Sequence, residues 1–303
     1  YIDEATTVSI KQPITSTRRG ALAQTAASLL VGASSLGFNP QQSLAANKDN
    51  DEGEGMVSQS KLASLLKQIP TFAIVDPRGV PYFVVGEDAK LTSYFFLNYG
   101  EAKRILDVAN KSSDKAIKES RKELKAKSGG VLTKEDEAEI GINPWKTARV
   151  TSVPLDLAVS LASKGKLGGG YFRLAPSESD IEDALALDGT DDLPEGKVPL
   201  FYVEGMTISD GVEPLYFRKE QLEQELQRQK KNQQSDDNDK NESPDIKVTE
   251  LFATVTEMIR PGGKDEELKT LQFVAPADSK SKAEQCRKGE KEPFRLGERL
   301  IVL

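Results

Sequence analysis

Three groups of residues in this 303-residue chain stand in arrangements that suggest bond chemistry, and their spacing decides what they are for. Asp191 and Asp192 form an adjacent carboxylate pair of the sort used in acid–base catalysis, Cys286 is the single thiol, and Gly168-Gly169-Gly170 is a glycine run of the sort that cradles phosphate. None has the surroundings its chemistry requires. The carboxylates lie in Asp188-Gly189-Thr190-Asp191-Asp192, which reads as a solvated turn. The glycine run precedes the strand-like Tyr171-Phe172-Arg173-Leu174, whereas a phosphate loop needs a strand before it and a helix after it. Cys286 sits among Lys282, Glu284, Arg287 and Lys288 with no second cysteine for a disulfide or a CxxC pair, and reads as an incidental surface thiol. The chain has no histidine, which removes the imidazole base, the Ser-His-Asp and Cys-His arrangements and any His-metal site. No catalytic, cofactor-binding or metal-binding residue is assigned, and the chain is not read as an enzyme.

Its 41 basic against 48 acidic residues give a formal charge of −7, which argues against a nucleic-acid partner and, more weakly, against an anionic membrane. What the chain does offer is a set of aromatics at recurring places. Ile69-Pro70-Thr71-Phe72-Ala73-Ile74-Val75 returns as Val198-Pro199-Leu200-Phe201-Tyr202-Val203, Phe95-Phe96 as Tyr216-Phe217, and Phe172-Arg173-Leu174-Ala175-Pro176 as Gln272-Phe273-Val274-Ala275-Pro276. Between these blocks Val150, Val153, Leu157 and Leu161 match Val248, Leu251, Val255 and Ile259 with the same steps. Two copies of roughly 100 residues are too long for solenoid units. The expected fold is therefore α+β, with two halves related by a pseudo-two-fold axis and a shared groove between them. Each half is a β-hairpin plus strands with amphipathic helices packed on the sheet. Phe72, Tyr82, Phe83, Phe201, Tyr202, Tyr216 and Phe217 lie on repeat-related strands and are the candidate contacts for an extended peptide.

The elements that position them follow from local signals. Ser58 or Ser60 caps a short helix carrying Leu62, Leu65 and Leu66, which Pro70 ends. Phe72–Val75 and Tyr82–Val85 bracket Asp76-Pro77-Arg78-Gly79 and read as a hairpin. Leu91–Phe96 is a third strand, and Asn98 caps a helix with Ala102, Ile105, Leu106 and Ala109 on one face. In each half a charged insertion follows such a helix: 111–139, partly helical, and 228–244, disordered. Short strands at Thr147–Val150 and Ile246–Val248 then lead into amphipathic helices, marked by Leu155, Ala158, Val159 and Ala162 in the first half and by Val248, Leu251, Phe252, Val255 and Ile259 in the second.

The expected organisation is a presequence over 1–47, an acidic linker over 48–56, a first half over 57–196, a second over 197–276 and a charged tail over 277–303. Thr17-Arg18-Arg19-Gly20, the apolar run Ala21–Leu36 and the small-residue end Ser43-Leu44-Ala45-Ala46 read as a twin-arginine export signal, and Thr6–Thr17 as the end of an organelle transit peptide. The apolar run is shorter than the roughly 18–20 residues a spanning helix needs, so membrane association is at most peripheral.

The order Ile69-Pro70-x-Phe72 with the Pro77-Arg78-Gly79 turn, Tyr94-Phe95-Phe96-Leu97, Tyr171-Phe172-Arg173-Leu174-Ala175-Pro176, Val198-Pro199-Leu200-Phe201 and Pro214-Leu215-Tyr216-Phe217-Arg218-Lys219 resembles the Tic twenty-two-kilodalton-like family, components of the chloroplast import translocon. The resemblance implies a butterfly-like α+β body with apolar pockets. It also implies a soluble chaperone-like factor whose partners are unfolded or precursor polypeptides, and translocon subunits. The twin-arginine segment directs the expectation to the thylakoid lumen of a plastid, with the envelope intermembrane space as the alternative. The alternative is a lumenal structural or assembly subunit bound to a photosystem.

Overall fold

Why the sequence yields two sheets is visible in where its proline-led apolar runs pair. The computed structural model describes residues 57–85, 89–167, 169–190, 192–208, 211–233, 244–260, 266–289, 292–297 and 301–302. The expected presequence, the linker 48–56, residue 191 of the carboxylate pair, the first glycine of the 168–170 run and residues 234–243 of the second insertion lie outside them.

In chain order the elements are α1 (Gln59–Lys67), β1 (Pro70–Val75), β2 (Tyr82–Val85), β3 (Leu91–Phe96), α2 (Tyr99–Lys127), α3 (Lys134–Ile140), β4 (Arg149–Pro154), α4 (Leu155–Ala162), β5 (Tyr171–Ala175) and α5 (Glu178–Asp188). They continue with β6 (Pro199–Tyr202), β7 (Glu213–Tyr216), α6 (Lys219–Gln233), β8 (Lys247–Glu250), α7 (Leu251–Met258), β9 (Leu271–Val274), α8 (Ser279–Gly289) and β10 (Ile301–Val302). The helix starts are set by side-chain caps. The Ser58 hydroxyl accepts from Lys61 N–H, the Asn98 carbonyl from Gly100 and Glu101 N–H, and Thr133 and Asp136 form a reciprocal capping box.

The first sheet contains the order β5-β3-β1-β4 and the second β9-β7-β6-β8. In both, the first pair is parallel and the others antiparallel. The first sheet is larger because β2 adds to β3 and β10 adds to β2. The fold is α+β, with each sheet covered on both faces. Ala73, Val75 and Phe95 point inward to a cluster shared with Leu200, Leu215 and Phe273 of the second sheet, and α1, α4 and α7 fill the space between. Phe72, Ile74 and Phe96 alternate outward, under α2, Trp145 and α8. Phe201 and Tyr216 point outward from the second sheet, under α5 and α6. Full burial of each such ring stabilises by about 1.5–3 kcal/mol. Two helices change sides: α5, which follows the first sheet, packs on β6 and β8, while α8, which follows the second, packs on β1 and β4.

Several expectations change. The hairpin of Phe72–Val75 with Tyr82–Val85 reduces to one bridge, Val75 to Pro81. β5 occupies one edge of β3 along its length, so β1 and β2 share the other edge end to end. The turn between them bulges out because it satisfies itself. The Asp76 carboxylate accepts from the N–H groups of Arg78 (2.8 Å) and Val80 (2.9 Å) and from Arg78 Nε (2.9 Å), leaving no need for a ladder partner. The matched sequence blocks also pair out of step with their alignment. Equivalent rungs pair Phe72 with Phe96 and Phe201 with Tyr216, so Phe96, not Phe95, corresponds to Tyr216. Leu155 N–H donates to Ile69 O and Leu251 N–H to Val198 O, which makes Leu155 the counterpart of Leu251. Val248 accordingly lies in β8 and not in a helix, and the strands before α4 and α7 run later than expected. The first insertion is the continuous second part of α2 plus α3, and residues 228–233 of the second complete α6. The region after residue 277 holds α8 and β10, with Phe294 against Phe95 at 5.6 Å between ring centroids.

Candidate edge-strand groove

β9 ends the second sheet, paired among the described residues with β7, and its last residues run into Ala275-Pro276, where proline removes a backbone donor. Along it opens a cavity of about 320 Å³. Ile69, at the start of β1, and Phe273 form a buried apolar floor, Ile208 and Val274 line it further, and Gln68, Gln272 and Lys280 are polar groups at its rim. Gln68 and Ile69 lead into β1 of the first sheet and β9 belongs to the second, so the groove sits where the two sheets meet. α1 and α8 hold its walls, α1 through Lys61 Nζ on the Lys269 carbonyl (3.4 Å). Among the described residues no group of three or more Cys, His, Asp or Glu is placed to hold a metal, and no helix is long and apolar enough to cross a membrane.

The same place in the first sheet is closed. Tyr94 and Arg173 share a rung of the β3–β5 ladder, two before Phe96 and Ala175, as Pro214 and Gln272 share one two before Tyr216 and Val274. Over β5, the Glu195 carboxylate accepts from the Tyr94 hydroxyl (2.6 Å) and pairs with Arg173, and the Gly196 backbone lies against the aliphatic stem of that arginine. Burial, and then the adjoining Glu195 carboxylate, push the Tyr94 hydroxyl well above the ordinary phenol range. Pro214 and Gln272 can form no such bridge.

A second, more polar groove of about 520 Å³ lies between Leu187, α6 and the lead into β8 (Pro244, Asp245, Ile246).

Six of the seven residues expected to contact a peptide pack into the protein's own clusters. Phe72 meets Tyr99 edge-on at 5.5 Å, Tyr82 lies on Trp145 and donates to Pro144 O (3.0 Å), and Phe83 meets Phe172 at 5.2 Å. Phe201 and Tyr216 fill the outer cluster of the second sheet, where burial pushes the Tyr216 hydroxyl up to about 12. Phe217 lies beneath Phe273 and so supports the groove floor without lining it. Tyr202 is partly buried and packs against the central cluster. The expected shared cleft between the sheets is a continuous core, and the open space lies at its rim. Gln272–Pro276 of the groove lie in one matched block and Ile69 heads another, whereas Gln68, Ile208 and Lys280 lie outside both and carried no sequence signal.

A model of the Tic22-like family matches residues 21–285. Among solved structures the chain is similar to Tic22 from Plasmodium falciparum, at 20% identity and a TM-score of 0.52 over 76% of this chain and 99% of that one. It is also similar to Anabaena Tic22, described as a protein of protein transport, at 17% identity and a TM-score of 0.49 over 78% and 100%. No curated protein sequence matches. The likeness to the Plasmodium protein is one of fold.

Proposed function

The chain belongs to the Tic22-like family, and on that premise we propose that it is a chaperone-like, non-catalytic factor of plastid protein import that holds extended stretches of precursor polypeptide along β9. The observation that carries this reading is an edge strand opening onto a cavity with an apolar floor. A client strand added there gains backbone hydrogen bonds whatever its sequence, while alternate side chains enter the cavity. The polar rim of Gln68, Gln272 and Lys280 keeps the patch small enough for the free protein to stay dispersed. The reciprocal packing of α5 on the second sheet and α8 on the first supports a pseudo-two-fold relation of the halves, since a two-fold interface repeats each contact in both directions. The twin-arginine segment supports the thylakoid lumen of the plastid, and family membership supports the envelope.

The test is aggregation of a chemically denatured client monitored by light scattering with the full chain present. The chain slows aggregation, and Gln272→Trp, which fills the groove from its rim, removes most of that effect while the melting temperature is kept. An unchanged aggregation rate with the unaltered chain rules the reading out.

A further inference from the structure

The acidic balance of the whole chain conceals one concentrated positive feature. Lys111, Lys115, Lys118, Lys122 and Lys125 follow one another at steps of four, three, four and three along α2. At about 100° per residue these steps keep all five within an arc of about 80°, in a straight row roughly 21 Å long. All five are exposed. Lys115 has a loose partner in Glu119 at 3.9 Å, and the other four have no ion-pair partner among the described residues. Asp114, beside the row, is engaged elsewhere, by Asn143 Nδ2 (2.8 Å) and Lys146 (3.0 Å). Glu119 and Glu123 stand on one flank only.

The opposite side of the helix is what holds it in place. Ser113 is buried there, Ala116, Ile117 and Leu124 are half-buried, and α3 packs alongside. The row therefore cannot turn inward. At its far end Gly129 and Gly130, both at positive φ, turn the chain so that Val131 stands 74% exposed next to Lys127.

We propose that this lysine row, with Val131 at its tip, docks the protein onto the surface of a bilayer rich in anionic lipid headgroups. The arrangement suits a plane of diffuse negative charge. The cations are on the exposed side of the helix, and neither of the two grooves described above includes a residue of α2. They are all lysine, a flexible point charge, and not arginine, whose planar fork reads individual carboxylates or phosphates. Charges of the acidic body lying more than about 8 Å away are screened at physiological salt, so the net −7 does not cancel the row. A single exposed valine beside the last lysines adds a shallow apolar foothold.

The test is co-sedimentation of the full chain with phosphatidylcholine vesicles, with and without phosphatidylglycerol, over a salt series. Binding to the anionic vesicles alone, weakening as salt rises, is expected. Each lysine near an anionic surface contributes about fivefold in affinity, so Lys118→Gln with Lys122→Gln lowers vesicle affinity about 25-fold, and Val131→Asp lowers it further. Glutamine keeps helix propensity at these exposed positions, and an unchanged circular-dichroism melt confirms an intact fold. Equal binding to neutral vesicles, or anionic binding unaffected by the double substitution, overturns the proposal. Capture of polyglutamate with no vesicle binding overturns it in favour of an acidic protein partner.

Discussion

β5 and β9 end their sheets in the same way, each parallel to the strand that leads into a long helix, yet one outer face is closed and the other open. The closure over β5 is made by three side chains, Tyr94, Arg173 and Glu195, contributed by β3, β5 and the segment before β6. Over β9 the corresponding rung holds Pro214 and Gln272, and a cavity remains. The two sheets share one strand order, and a few polar residues decide whether the outer side of the end strand is braced or open. The turns after β1 and β6 diverge likewise: the first is built around the buried Asp76 carboxylate and lies under the returning chain, and the second carries Gly205 with open space around it.

Four tests sharpen or break this comparison. The core beneath the two sheets should respond alike. Phe72→Ala and Phe201→Ala, each at a fully buried ring, should cost about 3–5 kcal/mol apiece in urea unfolding. A large inequality between them would mean that the sheets are not equivalent bodies.

The turns should respond unequally. Gly205 has φ +70° and no neighbour near a new Cβ, so Gly205→Ala carries only the left-handed strain of about 1–2 kcal/mol. Gly79 has φ +84°, and a Cβ there overlaps the Pro293 carbonyl, so Gly79→Ala adds overpacking of about 1–3 kcal/mol and loosens the segment whose Arg295 N–H donates to Gly79 O (2.9 Å). Equal melting temperatures for the two variants would contradict that packing.

Acid should weaken the turn after β1 and spare Asp180 in α5. Burial pushes the Asp76 carboxyl up, but the Val80 N–H and the Arg78 side chain and N–H together hold it below its ordinary value of 3.8. Below that ordinary value the unfolded chain binds the proton more readily than the folded one. Asp76 therefore stabilises the fold above that range, and the contribution is lost as pH falls through it toward the lowered value. Asp76→Asn should cost about 2 kcal/mol at neutral pH and flatten the acid limb of a stability–pH curve. Asp180 has the opposite sign: burial raises it against the opposing Ser177 hydroxyl and Arg218 charge, so its contribution is present at low pH and declines as pH rises from 3.8 toward its raised value. Asp180→Asn should flatten that decline, as measured by urea titration across the same range.

The smallest expected effect on stability is the most informative about function. Glu195→Ala removes a partly exposed bridge, at a cost of about 1 kcal/mol or less. It also uncovers the outer face of β5, so titration with a fluorescent extended peptide should reveal a second binding position. A stoichiometry unchanged from the parent chain would show that opening this face is not sufficient.

Much of this fold was legible in the sequence because local rules and tertiary demands agree. Asn98 and Ser58 cap helices where hydroxyl and amide side chains favour it, and the proline-led runs at Pro70 and Pro199 both form strands. The register of the repeat was harder to read. Shifting an apolar strand by one residue still matches apolar to apolar although it swaps faces, which is how Phe95 stood in for Phe96. The hairpin at Asp76 was misleading because turn chemistry specifies a reversal but not which strand the chain rejoins. The candidate aromatics were chosen for type, and burial depends on what a distant segment supplies: Phe83 is covered by Phe172, more than 70 residues on in the numbering. Gln272 gave no chemical signal, since its part in the groove comes from the absence of a partner across the rung.

The groove itself is tested most directly by a photo-crosslinking side chain placed at Gln272 and, in a separate variant of the full chain, at Leu187 in the second groove. Irradiation with an unfolded precursor should give a covalent adduct from position 272 that a competing extended peptide suppresses, and little from position 187. Adducts from position 187 alone, or from neither, would contradict polypeptide binding along β9.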